Sequence, residues 1–403
     1  MLFTIAWRNL WRHRTRSLAI IASVALGVWS GAFIVSLYYG MGNERVRIAI
    51  EEEVSHIQVH HPKFREDFEA AWNFRLDSLD EAMRKTPGIK AWSLRTTAQG
   101  MLANAAGSNG VQINGVDPAA EVATRKFDGF IVDGAYFDPE KRNQILIGKK
   151  LADKMKLTPG AKIVLTFLDP EQNIQAGAFR ICGIYQSSNA PLDERNVYVK
   201  QSEFNELLDM PGRGNEAAVL LQDETFLPAV LTSLQQQLPG LQVESWRSIS
   251  PETDLIISSL DISSLIIIVI IVLALAFGII NTMLMAVLER TREIGMLMAI
   301  GMTKPRLFSM VVLETIMLTM AGCPIGFGLA WTVNEWLSKN GLNLGNIAGN
   351  TMKDFGFGAI IYPDLPGFKV GQIIITVFIT ALLASVFPAW KALTMRPVEA
   401  IKR

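Results

Sequence analysis

Three of the four histidines stand close together, at His56, His60 and His61, and invite a metal-binding reading. The alternation in His56-Ile57-Gln58-Val59-His60 reads as a strand. Four residues of strand advance about 13 Å, whereas two imidazoles on one ion must each come within about 2.1 Å of it. His56 and His60 therefore cannot share a metal unless the segment is helical. Phosphate chemistry fares no better. No Gly-x-x-x-x-Gly-Lys-[Ser/Thr] occurs, and Ile147-Gly148-Lys149-Lys150 lacks both the upstream glycine and the following hydroxyl. Neither His-Glu-x-x-His nor Gly-x-Ser-x-Gly is present. Cys182 lies in a polar region and Cys323 in an apolar one, so no disulfide framework is expected. These residues predict a chain that is not an enzyme and binds no metal or cofactor of its own.

The remaining candidates are one carboxylate and one oily loop. Glu314 is the only acid well inside its apolar run. An acid in hydrocarbon is costly and should face protein or water. It either pairs with a basic residue of a neighbouring helix or bends outward to the headgroups. The loop is Val287–Phe308, VLERTREIGMLMAIGMTKPRLF. It opens with dense charge, turns apolar for nine residues, and returns to charge. Nine residues cannot span a bilayer.

The elements that position this loop are long and apolar. The chain has 403 residues, net charge zero and 50% hydrophobic residues, with a mean hydropathy of +0.26. That is oily for a soluble protein, and neutrality gives no attraction to nucleic acid. Ser17–Asn43, Ile262–Leu288 and Val370–Trp390 contain no charge, and Leu307–Trp336 contains only Glu314 and Glu335. Each stretch has the roughly 20 residues needed to cross hydrocarbon. Four crossings place three basic segments on one face: Arg8, Arg12, Arg14 and Arg16; Arg290, Arg292, Lys304 and Arg306; and Lys391, Arg396, Lys402 and Arg403. The positive-inside rule makes that face cytoplasmic. A cleaved signal peptide is the rival for the N-terminus, but its apolar core is about 7–15 residues, shorter than this run. The expected segments are an amphipathic N-terminal helix (1–16), spans at 17–43, 262–288, 307–336 and 370–391, an external domain (44–261), the cytoplasmic loop (289–306), a second external loop (337–369) and a cytoplasmic tail (392–403). Arg8, Arg12 and Arg16 make one stripe, with Phe3, Trp7 and Leu10 facing elsewhere, as in a helix lying in the headgroup layer.

The external domain carries a weak internal echo. Leu76–Arg95 and Phe226–Arg247 each read as a helix, a Pro-Gly stop and an alternating strand ending at a tryptophan. Each follows a strand, at His56 and Glu216. Two β-α-β units bracketing a middle piece predict a split, porter-like α/β subdomain. The middle, from about Gly100 to Val199, reads as strands and predicts an inserted β-rich subdomain. The fold class is thus an α-helical membrane protein with four transmembrane helices and a large α/β periplasmic domain. The Gly- and Asn-rich loop after Lys339 favours turns over a core.

On a helix, Met296, Ile300, Leu297, Ile294 and Met298 cover a little over half the circumference, with Gly295 and Ala299 on the remainder. Gly301 is placed to end that helix, and Thr303 followed by Lys304-Pro305 to open the next. An exposed apolar helix marks a contact, either with the membrane surface or with a protein groove, which methionines suit because they repack easily.

NTMLMAVLERTREIGMLMAIGMTKPRLFSMVVLE resembles the signature region of FtsX-like ABC-transporter permeases, the MacB-like or mechanotransmission class. Its Glu-Arg-Thr-Arg-Glu-Ile-Gly run and Ala-Ile-Gly-Met end both match. AWRNLWRHRTRSL and FPAWKALTMRPVEAIKR resemble the family's opening and closing segments, and HIQVHHPKF and GIYQSSNAPLDERNVYV resemble the lipoprotein-release (LolC/LolE) branch. The resemblance implies that Glu289, Arg290, Glu293, Ile294, Gly295, Met296, Leu297, Met298, Ile300 and Gly301 form a coupling helix seated in a groove of a separate ABC ATPase, which would hold ATP and Mg. It implies a second permease chain, like or unlike, in the inner membrane, with both termini cytoplasmic and the large domain periplasmic. The expected function is ATP-driven extraction of lipoproteins from that membrane for a periplasmic carrier. Acyl chains are expected between the first and second spans, against Phe33, Leu37, Tyr38, Met41, Ile257, Leu260 and Leu265. MacB-like export of peptides or drugs, FtsX-like activation of wall hydrolases, and a four-anchor receptor are the alternatives. A receptor has no need of the oily loop.

Overall fold

The computed structural model describes residues 14–105 and 107–394. Residues 1–13 of the expected N-terminal helix and the tail from Met395 lie outside the described residues. The chain divides into two compact units, one of Met1–Gly42, Ser258–Leu342 and Ile361–Arg403, the other of Asn43–Ile257 and Asn343–Ile360.

Four long helices dominate the first unit: Arg14–Ile48, Pro251–Glu289, Lys304–Asn340 and Gly367–Leu393. All four are long and apolar enough to cross a membrane. They run past the uncharged stretches, because Arg, Glu and Ser at their ends are good enough helix formers to continue the ladder. The second helix has 39 residues and rises about 58 Å at 1.5 Å per residue, well beyond the ~30 Å of hydrocarbon. The first and second helices each have residues in both units.

Small residues let these helices approach closely, as lipid supplies no hydrophobic drive for association. Gly322 and Gly326 face Val24 and Val28 of the first helix, and a Cβ on Gly326 would lie 2.6 Å from the Ala25 carbonyl oxygen. Gly27 and Gly31 take Leu275 and Ile271 of the second helix in the same way. Ser36 Oγ donates to Asn334 Oδ1 at 2.8 Å, a buried bond between the first and third helices.

The larger unit is built on one ten-stranded sheet. Its strands are β1 (Ile57–His60), β2 (Ile89–Asn104), β3 (Gly107–Val116), β4 (Ile131–Gly134), β5 (Gln144–Gly148), β6 (Lys162–Leu168), β7 (Ile174–Tyr185), β8 (Asn196–Lys200), β9 (Glu216–Leu221) and β10 (Gln242–Ser245). The order is β10-β1-β9-β2-β3-β8-β5-β7-β4, with β6 paired to β2 and β7. At one end β10, β1, β9 and β2 are mutually antiparallel neighbours. Helix Leu76–Lys85 joins β1 to β2, and helix Leu227–Gln237 joins β9 to β10, so the two β-α-β units interleave. Leu79, Met83, Val230 and Leu234 bury against Ile57, Val219 and Val243. The β-rich subdomain has its own core around Leu102, Ile113, Ile147, Leu165, Phe179 and Phe204. β2 serves both, with Leu94 in the first core and Leu102 in the second.

One reading is corrected. The Gly- and Asn-rich loop contains a helix, Gly345–Asp354, that belongs to the larger unit. Its Asp354 pairs with Lys150 at 2.9 Å, a tertiary contact that turn propensity ignores. The histidines are occupied separately: His56 Nδ1 accepts from Leu221 N, His60 Nε2 lies 3.0 Å from Glu244, and His61 stacks on Trp72. No metal cluster exists among the described residues.

Gly326→Leu should destabilise the helix bundle by about 1–3 kcal/mol through overpacking against backbone. Gly328→Leu, whose Cβ meets nothing within 4 Å, should be near neutral. Thermal unfolding in detergent compares them, and equal melting temperatures would contradict this packing.

Candidate coupling site

The second long helix ends at Glu289, and Arg290 breaks the ladder at φ −96°, ψ 18°. A short helix, Thr291–Ala299, follows. Its far end closes as a Schellman motif: Met302 N donates to the Leu297 carbonyl at 3.0 Å and Gly301 N to that of Met298 at 3.1 Å. Gly301 sits at φ +103°, where a Cβ is disfavoured. Thr303, in extended conformation, is the N-cap of the third long helix, with Pro305 in its first turn.

Arg290 fixes the near end. Its Nε donates to Glu293 Oε2 at 3.0 Å, and its Nη1 to Glu314 Oε1 at 3.1 Å and Oε2 at 3.3 Å. Arg290 and Glu314 side chains are 11% and 14% exposed. Glu314 is therefore paired, and its partner is the residue at the bend rather than one on a neighbouring span. The bond joins the end of the second helix to the third at the point where the short helix begins.

The exposed arc differs from the one the sequence predicts. Met296 is 52% and Ile300 85% exposed, and Ala299 is exposed, while Leu297 and Met298 are half-buried. Ile294 and Gly295 are buried. At 100° per residue, Met296, Ala299 and Ile300 share one side, and Ile294 lies opposite, against the bundle. Ile294 is thus removed from the outward face. Glu289 and Arg292 are exposed beside it.

The expected acyl-contact residues are scattered. Phe33, Leu37, Tyr38 and Met41 lie half-buried along one side of the first helix, Leu265 is exposed, and Leu260 is buried. Ile257 is half-buried and packs in the larger unit against Ile50, Leu220 and Trp246.

Two further groups went unread in the sequence. At the opposite ends of the membrane helices, Lys369 Nζ donates to Ser264 Oγ at 2.9 Å and pairs with Asp261 at 3.0 Å. Tyr39 donates its hydroxyl to the same Asp261. This cluster ties the first, second and fourth helices. In the larger unit the first helix widens into a π-turn, Ala49–Val54, a feature common at functional sites. Ser188 donates its N–H and hydroxyl to Glu52 at 2.8 and 2.9 Å, and Asn189 Nδ2 donates to Glu53 at 2.8 Å. Beneath, burial opposes the charge of Glu121, but Arg125 and Arg95 outweigh it and hold its pKa at about 2. Beside Ser188, burial pushes Asp193 up to about 6, against the hydrogen bonds from Ser187.

The sequence profile of the MacB-like periplasmic core domain matches residues 17–237. The chain belongs to the MacB-type ABC-transporter permeases. The FtsX-like permease C-terminal profile matches residues 265–397, covering the short helix and the last two spans of this permease. The macrolide export ATP-binding/permease protein MacB of Agrobacterium fabrum is 23% identical over 99% of the chain and 60% of its own length. An ABC transporter permease of Mycobacterium tuberculosis is 26% identical over 75% of the chain and 34% of its own length. The lipoprotein-releasing system transmembrane protein LolC of Neisseria meningitidis is 22% identical over 95% of the chain and 92% of its own length. The chain therefore spans about a third and 60% of the first two relatives. Membrane helices with a periplasmic-type domain make this permease an inner-membrane protein.

Two expectations follow. Glu314→Ala should cost about 1–3 kcal/mol by stranding part of the Arg290 charge, whereas Arg290→Met with Glu314→Met should recover much of it; additive losses in a double-mutant unfolding cycle would refute the pair. For Asp193 the sign is worked from linkage. Between its ordinary value of 3.8 and about 6, the folded state binds the extra proton, so its contribution to stability falls as pH rises through that window. Asp193→Asn should flatten this segment of the profile and stabilise the larger unit at pH 7, as read by melting temperature against pH.

Proposed function

We propose that this permease is the membrane subunit of a lipoprotein-extracting system, driven by a separate ABC ATPase. The observation that carries the coupling role is the exposed apolar arc Met296-Ala299-Ile300, held at one end by the Schellman turn and at the other by Arg290 and Glu314. A flexible loop could bind a motor but could not transmit its stroke. A short helix clamped at both ends moves the second and third spans with it.

In this reading the arc sits in a groove of the ATPase on the cytoplasmic side, with both termini on that side and the larger unit in the periplasm. A second permease chain, identical or paralogous, completes the membrane part. ATP and Mg act on the ATPase, and this chain performs no chemistry. Closure of two ATPase subunits displaces the short helices. The second helix, which has residues in both units, carries that displacement toward the larger unit, and a lipoprotein is lifted from the bilayer toward a periplasmic carrier. The cargo is taken from the lipoprotein-releasing relative LolC of Neisseria meningitidis, to which 95% of this chain is similar.

Ile300→Asp and Met296→Asp alter exposed positions and should leave the fold intact. They should lower lipoprotein release from proteoliposomes about tenfold, a loss equivalent to about 1.4 kcal/mol at a contact centre, while the ATPase keeps its intrinsic hydrolysis. Unimpaired release by both variants would sink the coupling role. ATP-dependent movement of a macrolide, with no release of acylated protein, would overturn the cargo.

A further inference from the structure

The loop between the third and fourth long helices is a closed structure of its own. Its middle, Asn343–Ile360, belongs to the larger unit, while the residues on either side belong to the membrane unit. At its base Leu342–Asn343 pairs with Ile360–Ile361, and Leu344 N donates to the Ala359 carbonyl at 2.8 Å. Asn343 Oδ1 accepts from Gly345 N at 2.8 Å, where helix Gly345–Asp354 begins. That helix ends as the coupling helix does, in a Schellman motif. Phe357 N donates to the Met352 carbonyl at 2.9 Å and Gly356 N to that of Lys353 at 3.1 Å, with Gly356 at φ +73°. Hydrogen bonds thus fix the loop at its base and at both ends of its helix.

The loop is seated on the first long helix, turn by turn. In the membrane unit, Asp364 N donates to the Ser36 carbonyl at 2.9 Å, and a Cβ on Gly40 would run into the Tyr362 carbonyl. In the larger unit, a Cβ on Gly358 would lie 2.6 Å from Glu44 Oε1, and one on Gly356 would lie 3.2 Å from Asn189 Nδ2 and 3.5 Å from Arg45 Nε. Ser36, Gly40 and Glu44 are four residues apart and so form one row on the first helix. The missing side chains of Gly40, Gly356 and Gly358 permit the approach. The row leads into the π-turn, because Arg45 donates twice to Glu53, at 3.0 and 3.1 Å, and Glu53 also accepts from Asn189. The pair of Asp354 with Lys150 adds a further tie.

We propose that Asn343–Ile360 is a strut that ties the ends of the third and fourth helices to the first helix and its π-turn, giving the coupling helix a second route to the larger unit. The third helix begins directly after the Schellman turn of the coupling helix. Its 37 residues rise about 55 Å at 1.5 Å per residue, so it can carry a displacement across the bilayer as the second helix does. The first helix has no such chain link to the coupling helix, and the strut supplies one. A body held by one rod can swing about its attachment, whereas a body held by two must follow both. The inference rests on the coupling reading of Met296-Ala299-Ile300 and is independent of the cargo.

The test uses the full chain with its ATPase in liposomes, without cargo. A donor dye on Gln236→Cys, an exposed position, in a chain with Cys182→Ser and Cys323→Ser, transfers energy to acceptor-labelled lipids. The efficiency reports the distance of the larger unit from the bilayer, and ATP with vanadate should change it. Six Gly-Ser residues span about 13 Å as a flexible coil, slack enough to absorb a displacement of a few ångströms. Inserted both between Gly341 and Leu342 and between Leu365 and Pro366, they should shrink the change severalfold. The same insertion between Pro239 and Gly240, an exposed turn, should leave it intact. Gly40→Ala, which forces Tyr362 off the first helix while favouring the helix itself, should reduce the change in the same direction. Ile300→Asp should abolish it. An undiminished change in both the slackened chain and Gly40→Ala, with Ile300→Asp silent, would overturn the strut and leave the coupling reading standing. A change that survives Ile300→Asp would overturn the coupling reading, and no change in the unaltered chain would overturn both.

Discussion

A single guanidinium decides how this protein bends. Arg290 stands where the 39-residue second helix stops, and it holds Glu293 of the short helix and Glu314 of the third helix together. Without it, the second and third helices would meet through a chain of mostly apolar residues with no fixed angle. A half-buried ion pair is a poor source of net stability, because desolvation cancels much of its attraction. Its value is directional. Arg presents donors in a rigid planar fork, so the two carboxylates are placed at set positions around the bend. The Schellman turn at Gly301 then sets the other end by backbone bonds alone. The exposed arc of Met296, Ala299 and Ile300 follows from those two fixtures.

The two units use charge in different ways. In the membrane unit, ionic groups sit near helix ends: Arg290 with Glu314 at one, and Lys369 with Asp261, Ser264 and Tyr39 at the other. Between them, glycines bring the helices together by shape. In the larger unit, Glu121 lies wholly buried between Arg95 and Arg125, under the sheet rather than at its edge. That arrangement orients β2 and helix Pro118–Arg125 against each other. The same unit grips the emerging first helix through Ser188 and Asn189, whose bonds fall on adjacent acids of a π-turn. A π-turn offsets successive residues from the usual spacing, and so Glu52 and Glu53 both reach one loop.

Much of this was legible in the sequence, and the exceptions have physical causes. Uncharged runs mark helices because lipid tolerates little else, so the four spans stood out. The paired Pro-Gly stops after Lys85 and Gln237 announced the interleaved β-α-β units, since they end helices and start strands in the same way twice. The residues of the short helix could be named from their apolar pattern. Which of them faced outward could not, because periodicity fixes relative angles and not the direction of the bundle; Ile294 went to the wrong side for that reason. Lys369 and Asp261 were hidden in plain view. Charges flanking an apolar run read as its boundaries, and only three-dimensional neighbours reveal that they bind each other. Helix Gly345–Asp354 was concealed by its glycines and asparagines, which prefer turns, while its pairing through Asp354 with Lys150 is visible only in three dimensions.

The placement of β1 has a consequence for how the protein is made. This strand leaves the first helix early in the chain, yet both of its neighbours, β9 and β10, are supplied by the last part of the larger unit. During synthesis the β-rich subdomain can complete its core, from Leu102 to Met210, while Ile57–His60 still waits with both flanks unpaired. Such naked flanks attract stray strands, and contacts this distant along the chain form slowly. The finished insertion therefore acts as a preassembled clasp. It shortens the effective gap between the two halves, which lowers the entropic cost of bringing β9 and β10 to β1.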